Sequence, residues 1–123
     1  ARAGTGDPRV SAPAALMGTG RVKLTWFVPL AHVQATKDAV FAAGGGWIGE
    51  YSRCSFSVVG TGTFYGTGSA SPAVGEAGRD EAVVEARVET VVASDSLAAV
   101  VAALRRAHPY EEPAIDAVPL LDV

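Results

Sequence analysis

The stretch His108-Pro109-Tyr110-Glu111-Glu112-Pro113, running on into Ala114-Ile115-Asp116-Ala117-Val118-Pro119-Leu120, decides how the chain folds. Pro109 disfavours the α conformation at His108, so a helix arriving from the N-terminal side must stop there. Pro113 restricts Glu112 in the same way, which predicts a short extended segment carrying Glu111 and Glu112, then a final strand. The helix itself is legible upstream, where Leu97, Val100, Val101 and Leu104 recur at the spacing of one amphipathic face. Ser94, Asp95 and Ser96 offer N-caps, and Arg105 and Arg106 suit the negative C-terminal end. Before the helix, Val84, Ala86, Val88, Thr90 and Val92 alternate with Glu85, Arg87 and Glu89, the pattern of a half-buried strand over Glu81 to Ala93.

In the N-terminal half, Arg21 to Pro29 reads as a second strand. Val22, Leu24, Trp26 and Val28 share one face, and Thr25 and Phe27 the other, so apolar groups lie on both sides. Leu30, Val33, Val40 and Phe41 then mark a helix from Pro29 to about Ala43, ended by Gly44-Gly45-Gly46. Trp47 to Val58 reads as a long strand or a bent pair, with Ile48, Cys54, Phe56 and Val58 on one parity and Thr63 to Tyr65 extending the hairpin. Gly66 to Asp80 reads as an irregular excursion. The order is β-α-β-β-α-β, which predicts an α+β, ferredoxin-like domain: an antiparallel sheet in the order 4-1-3-2 with both helices on one face. Residues 1–20 form an expected tail or extension before a domain over 21–123, and Met17 stands as an alternative natural start. The far side of the sheet, with Phe27, has no helix to cover it and is expected to be an interface.

Composition narrows the function classes. A chain of 123 residues fits one domain, and 49% hydrophobic against 19% charged residues is globular rather than disordered. A net charge of −3 without a Lys/Arg cluster argues against a nucleic-acid partner. One cysteine excludes an internal disulfide and a Cys-rich zinc site within the chain. The longest apolar run is too short to span a membrane, and the N-terminal segment lacks the apolar core of a signal peptide, so a cytoplasmic protein is expected.

Six blocks in order carry a resemblance: Phe27-Val28-Pro29, Trp47-Ile48-Gly49-Glu50-Tyr51, Cys54-Ser55-Phe56, Gly60-Thr61-Gly62-Thr63-Phe64, Gly75-Glu76-Ala77-Gly78 and His108 to Pro113. Together they resemble the PII/CutA-like domain inserted in bacterial Nif-three-like proteins, the type-2 GTP cyclohydrolase I-like family. They are also similar to the CutA divalent-cation-tolerance proteins. The resemblance implies a PII/CutA-like fold and a homotrimer in which three sheets pack around a threefold axis. In the Nif-three-like proteins a two-metal site sits in the flanking domains, which supply its His, Asp and Glu ligands. This chain has two histidines and only the insert-like region, so the family's hydrolase activity does not carry over with the resemblance.

The candidate chemistry is sparse. Gly60-Thr61-Gly62-Thr63-Phe64-Tyr65-Gly66 is one residue too long for a dinucleotide fingerprint and has no Gly-Lys-Ser/Thr, so it reads as a flexible hairpin tip, with anion binding by loop amides as the alternative. Cys54, at an apolar parity, reads as a buried inert thiol, against a ligand-contacting thiol at an intersubunit cleft. His32 reads as a surface residue. His108 either caps a helix C-terminus or, with a neighbouring glutamate, binds a divalent cation. Glu111 and Glu112, neighbours on extended backbone, point to opposite sides and form no acid/base dyad. Glu85 and Glu89, with Arg87 between, read as a solvated face or an intersubunit ion-pair row.

The expectation is a stand-alone homotrimeric module, sensor or adaptor rather than enzyme, that binds a small ligand or a divalent metal ion. Tyr110 and Glu111 contact the ligand, with Tyr51 and Cys54 as the opposite wall, and His108 and Glu112 hold any metal. The alternatives are a trimerisation or lid module serving a separate Nif-three-like metal-dependent hydrolase, and a small metal-dependent hydrolase in its own right.

Overall fold

A computed structural model describes residues 18–123. Four strands and two helices follow in the expected order: β1 (Gly18–Pro29), α1 (Val33–Ala42), β2 (Phe56–Tyr65), β3 (Asp80–Ala93), α2 (Leu97–Ala107) and β4 (Ile115–Leu121). The sheet order is β2-β3-β1-β4 and every pairing is antiparallel, which is the predicted 4-1-3-2 arrangement. β1 begins at Gly18, so three residues of the expected tail belong to the sheet; the rest of the tail lies outside the described residues.

Alternation decides which face is covered. Leu24, Trp26 and Val28 of β1 and Val88 and Val92 of β3 join Val40 of α1 and Val100 and Leu104 of α2 in one buried cluster. Both helices therefore sit on the same side of the sheet. Trp26 is fully buried, and a buried indole N–H without an acceptor would cost more than a hydrogen bond's net worth. Its Nε1 donates to the hydroxyl oxygen of Thr36 at 3.0 Å, and that hydroxyl in turn lies 2.9 Å from the carbonyls of His32 and Val33. Among the described residues no helix is long and apolar enough to cross a membrane.

Three local expectations are corrected. Ser94–Ser96 form a short 3₁₀ turn leading into α2 without a side-chain cap. Trp47 to Ser55 is not a strand: Ile48 and Tyr51 make an isolated bridge around Gly49, and Arg53 takes a left-handed φ of 59°. Cys54 then returns its N–H to the Gly46 carbonyl at 2.8 Å. The loop thus closes on itself, and pairing with β3 starts only at Phe56↔Glu89. Gly46 permits this turn, because its φ is +93° and an added Cβ would lie 2.7 Å from the Phe41 ring.

The third correction concerns Gly60 to Tyr65, which lie inside β2 rather than at a hairpin tip. Their register runs from Gly60↔Glu85 to Tyr65↔Asp80, and the real connection is Gly66 to Arg79. The β-branched and aromatic residues Thr61, Thr63, Phe64 and Tyr65 favour the ladder over a turn. Since β1 ends opposite Glu85, the pairs beyond that point project as a two-stranded arm.

Candidate functional site

The uncovered sheet face carries the site. Register places Phe27 of β1, Glu85 and Arg87 of β3, and Val58, Gly62 and Phe64 of β2 on that face. At the arm end of this face lies a cavity of about 290 Å³, walled by Phe27, Gly62, Phe64, Glu85, the connection around Ala70 to Val74, and Tyr110 to Glu112. The walls are mainly apolar, and the charged side chains among them are all glutamates.

The proline-flanked stretch builds one wall. α2 ends at Ala107, and His108 follows in the extended conformation at φ −81° and ψ 137°, as Pro109 dictates. His108 is buried, with both ring nitrogens engaged: Nε2 lies 2.7 Å from the Phe27 carbonyl, and Nδ1 accepts the Tyr110 N–H at 3.1 Å. Those partners assign the neutral tautomer with its proton on Nε2. Burial holds its pKa below the ordinary imidazole value, against the opposing pull of the Phe27 carbonyl and the Glu85 carboxylate. The contact from Tyr110 back to His108 curls the chain, so Pro109 to Glu112 forms successive bends where an extended segment was expected. Glu111 and Glu112 accordingly line the same cavity rather than parting to opposite sides.

Tyr110 is the hub. Its hydroxyl donates to Glu85 Oε2 at 2.7 Å, and its ring packs near Phe64, with centroids 6.4 Å apart and planes tilted by 58°. Burial and the Glu85 carboxylate push its pKa up, so the phenol stays protonated and the pair is a charge-assisted hydrogen bond. Gly62 makes room for this pair, because a Cβ there would sit 1.9 Å from Glu85 Oε1. Glu111 fastens the connection above the cavity by accepting the Ser71 N–H at 2.8 Å.

The expected site residues divide into two groups. Tyr110, Glu111 and Glu112 line the cavity, with His108 directly beneath Tyr110. Tyr51 and Cys54 do not meet them within one chain: Cys54 is anchored at Thr90, and the run of β3 from Thr90 to Glu85 amounts to about 17 Å. Tyr51 is 76% exposed. Cys54 is half-buried rather than buried, its thiol directed at the carbonyls of Tyr51 and Ser52. Glu85 is the residue that sequence reasoning misplaced, since it serves Tyr110 while Arg87 pairs with Glu89. The signal was Gly62 in β2, legible only once the β2–β3 register is known.

A divalent metal fits this arrangement poorly. A metal at His108 would have to displace the Phe27 carbonyl or the Tyr110 amide, and no three His, Cys, Asp or Glu side chains converge among the described residues. What the cavity offers is aromatic surface, a carboxylate–phenol pair and further glutamates. No serine, cysteine or lysine is among the residues lining it.

No family model matches the chain. Relatives described as GTP cyclohydrolase 1 type 2 homologs do: the Mycobacterium leprae protein is 56% identical over 90 residues, covering 73% of this chain and 23% of its own length. The Bacillus subtilis protein is 43% identical over 98 residues, covering 80% of this chain and 26% of its own. The chain thus spans about a quarter of the length of the curated relatives it matches. Among solved structures, a Bacillus cereus protein related to NIF3 superposes with a TM-score of 0.68 at 41% identity, covering 81% of this chain and 25% of that one. The periplasmic divalent cation tolerance protein CutA of Archaeoglobus fulgidus superposes with a TM-score of 0.58 at 16% identity over 81% of this chain and 83% of that one, a likeness of fold alone. In sequence and in fold, then, the chain resembles the PII/CutA-like portion of the Nif3-like GTP cyclohydrolase 1 type 2 homologs, and in fold it shares the α+β architecture of CutA.

Proposed function

We propose that the chain is a self-associating, small-ligand-binding module of the PII/CutA kind, acting as a sensor or adaptor rather than as a catalytic unit. One observation carries this reading: the cavity is built on the uncovered sheet face, so whatever covers that face also borders the cavity. Phe56 and Val58, on that face, are half or more exposed, more apolar surface than an isolated sheet commonly leaves to water. β2 and β4 are both open edges, and a head-to-tail contact of unlike edges closes into a ring when the rotation permits. A homotrimer would satisfy both demands. It would also bring the Tyr51–Cys54 loop of one copy within reach of another copy's cavity, completing the two-walled cleft expected from the sequence.

Light scattering on the purified chain tests the assembly: the expected result is three times the chain mass of 12.5 kDa, and a stable monomer at tens of micromolar would refute it. The relatives' name raises GTP ring opening, and here the expected turnover is at background. Metal-dependent turnover that survives repurification and is lost in His108→Ala would overturn the non-catalytic assignment.

A second reading has its own support in coverage. Because the chain spans about a quarter of its relatives, it also suits a trimerisation or lid module for a Nif3-like partner. Retention of self-association without ligand binding would favour that role.

A further inference from the structure

We infer that the cavity takes a small organic cation, an ammonium group carried on an apolar body about the size of one ring. The inference rests on the proposed ligand-binding role of the cavity and names the chemistry of its occupant. Three aromatic rings, those of Phe27, Phe64 and Tyr110, line a space of about 290 Å³, at the small end of the range for ligand pockets. Aromatic faces attract cations through the ring quadrupole, and a carboxylate beside them completes the recognition of an ammonium group.

The charges at the wall are of one sign. Glu85, Glu111 and Glu112 line the cavity, and no lysine, arginine or histidine does. Arg87, the next residue along that face of β3, is held by Glu89. An anionic occupant would therefore meet only like charge, whereas a cation would meet carboxylates in different states of commitment. Glu111 is engaged by the Ser71 amide, and Glu85 gives Oε2 to Tyr110 while Oε1 lies over Gly62. Glu112 forms no hydrogen bond or ion pair among the described residues. The glycine is the independent sign that this carboxylate position matters to the shape of the site. Any side chain at 62 would force Glu85 to move, whereas a Cβ at Gly60, the residue directly opposite Glu85 in the ladder, would meet open space.

The proposal separates one probe set by charge at constant shape: 2-phenylethylamine, 2-phenylethanol and 3-phenylpropionate. Each is titrated into the isotope-labelled chain, with amide shifts at Gly62, Phe64, Ser71 and Tyr110 as the readout. The expected result is saturable binding of the amine at least tenfold tighter than of the carboxylate, weakening as salt is raised. Glu85→Gln should lower the amine's affinity about tenfold with a native amide spectrum, and Glu112→Gln, on an exposed side chain, should lower it about threefold and covers the case in which Glu85→Gln does not fold. Equal binding of all three probes, or amine binding unchanged in both variants, overturns the assignment of a cation while leaving a ligand cavity. No shift at these amides with any probe at 10 mM, on the order of the weakest affinities worth calling specific, overturns both the cation and the cavity as a ligand site.

Discussion

Gly62→Ala is the sharpest perturbation of the site, because it adds one methyl group and two opposing effects follow. Alanine restricts the unfolded chain and suits a strand better than glycine, a gain of about 0.5–1 kcal/mol. The new Cβ would lie 1.9 Å from Glu85 Oε1 and 2.8 Å from its Cδ, so the carboxylate has to swing away from Tyr110. Losing a hydrogen bond to a charged group costs roughly 1.5–3 kcal/mol, reduced to about 1–2 here because Glu85 is only half-buried and water takes over part of the contact. The two terms nearly cancel, so the variant should unfold within about 1 kcal/mol of the parent. The test is therefore a double-mutant cycle with Tyr110→Phe in urea. If Gly62→Ala acts by parting Glu85 from Tyr110, the pair lost in each single variant is lost only once in the double. A coupling of about 1–2 kcal/mol should appear. Additive effects within about 0.3 kcal/mol would refute the claim that Gly62 exists to seat Glu85.

Two further outcomes follow from the same wall. His108 is held neutral by burial, so its proton affinity is lower folded than unfolded. The stability this confers is full above the unfolded imidazole value near 6.5 and is lost as pH falls from there towards the folded pKa. Urea midpoints should drop between pH 7.5 and 5.5, and less so in His108→Gln; a midpoint that is level or rises on acidification would contradict a His108 held neutral by burial. Glu111→Ala removes the acceptor of the Ser71 N–H, an exposed contact on the order of 1 kcal/mol. Amide exchange at Ser71 should quicken roughly fivefold while the global midpoint stays within a degree or two, and unchanged exchange would show the connection is fastened elsewhere.

Much of this architecture was legible because burial leaves a periodic mark. Val22 to Val28 and Val84 to Val92 alternate since one side faces helices, and Leu97 to Leu104 repeats at helical spacing for the same reason. Where burial is slight the mark misleads. Ile48, Cys54, Phe56 and Val58 share a parity, yet the first two lie in a loop whose path is set by the left-handed turns at Gly49 and Arg53. Gly60 to Tyr65 looked like a turn because glycine usually signals one; here it answers a carboxylate on the adjacent strand. The same distinction runs through the site. His108, Tyr110, Glu111 and Glu112 stood out because prolines fix their backbone locally. Glu85 and Phe64 join them only through register, which no local pattern encodes.

The placement of β1 at the centre of the sheet has a consequence for how the chain comes into being. Its partners are Glu85–Ala93 on one side and β4 on the other, all in the last third of the sequence. Contacts so distant along the chain must meet the loop-closure entropy before any pairing returns free energy, which slows folding. On a ribosome, the apolar run Val22 to Val28 would leave the tunnel long before β3 and β4, its partners in the sheet. Until β3 emerges, that strand is an unclaimed template with two open edges, and during synthesis it is the segment most in need of shelter.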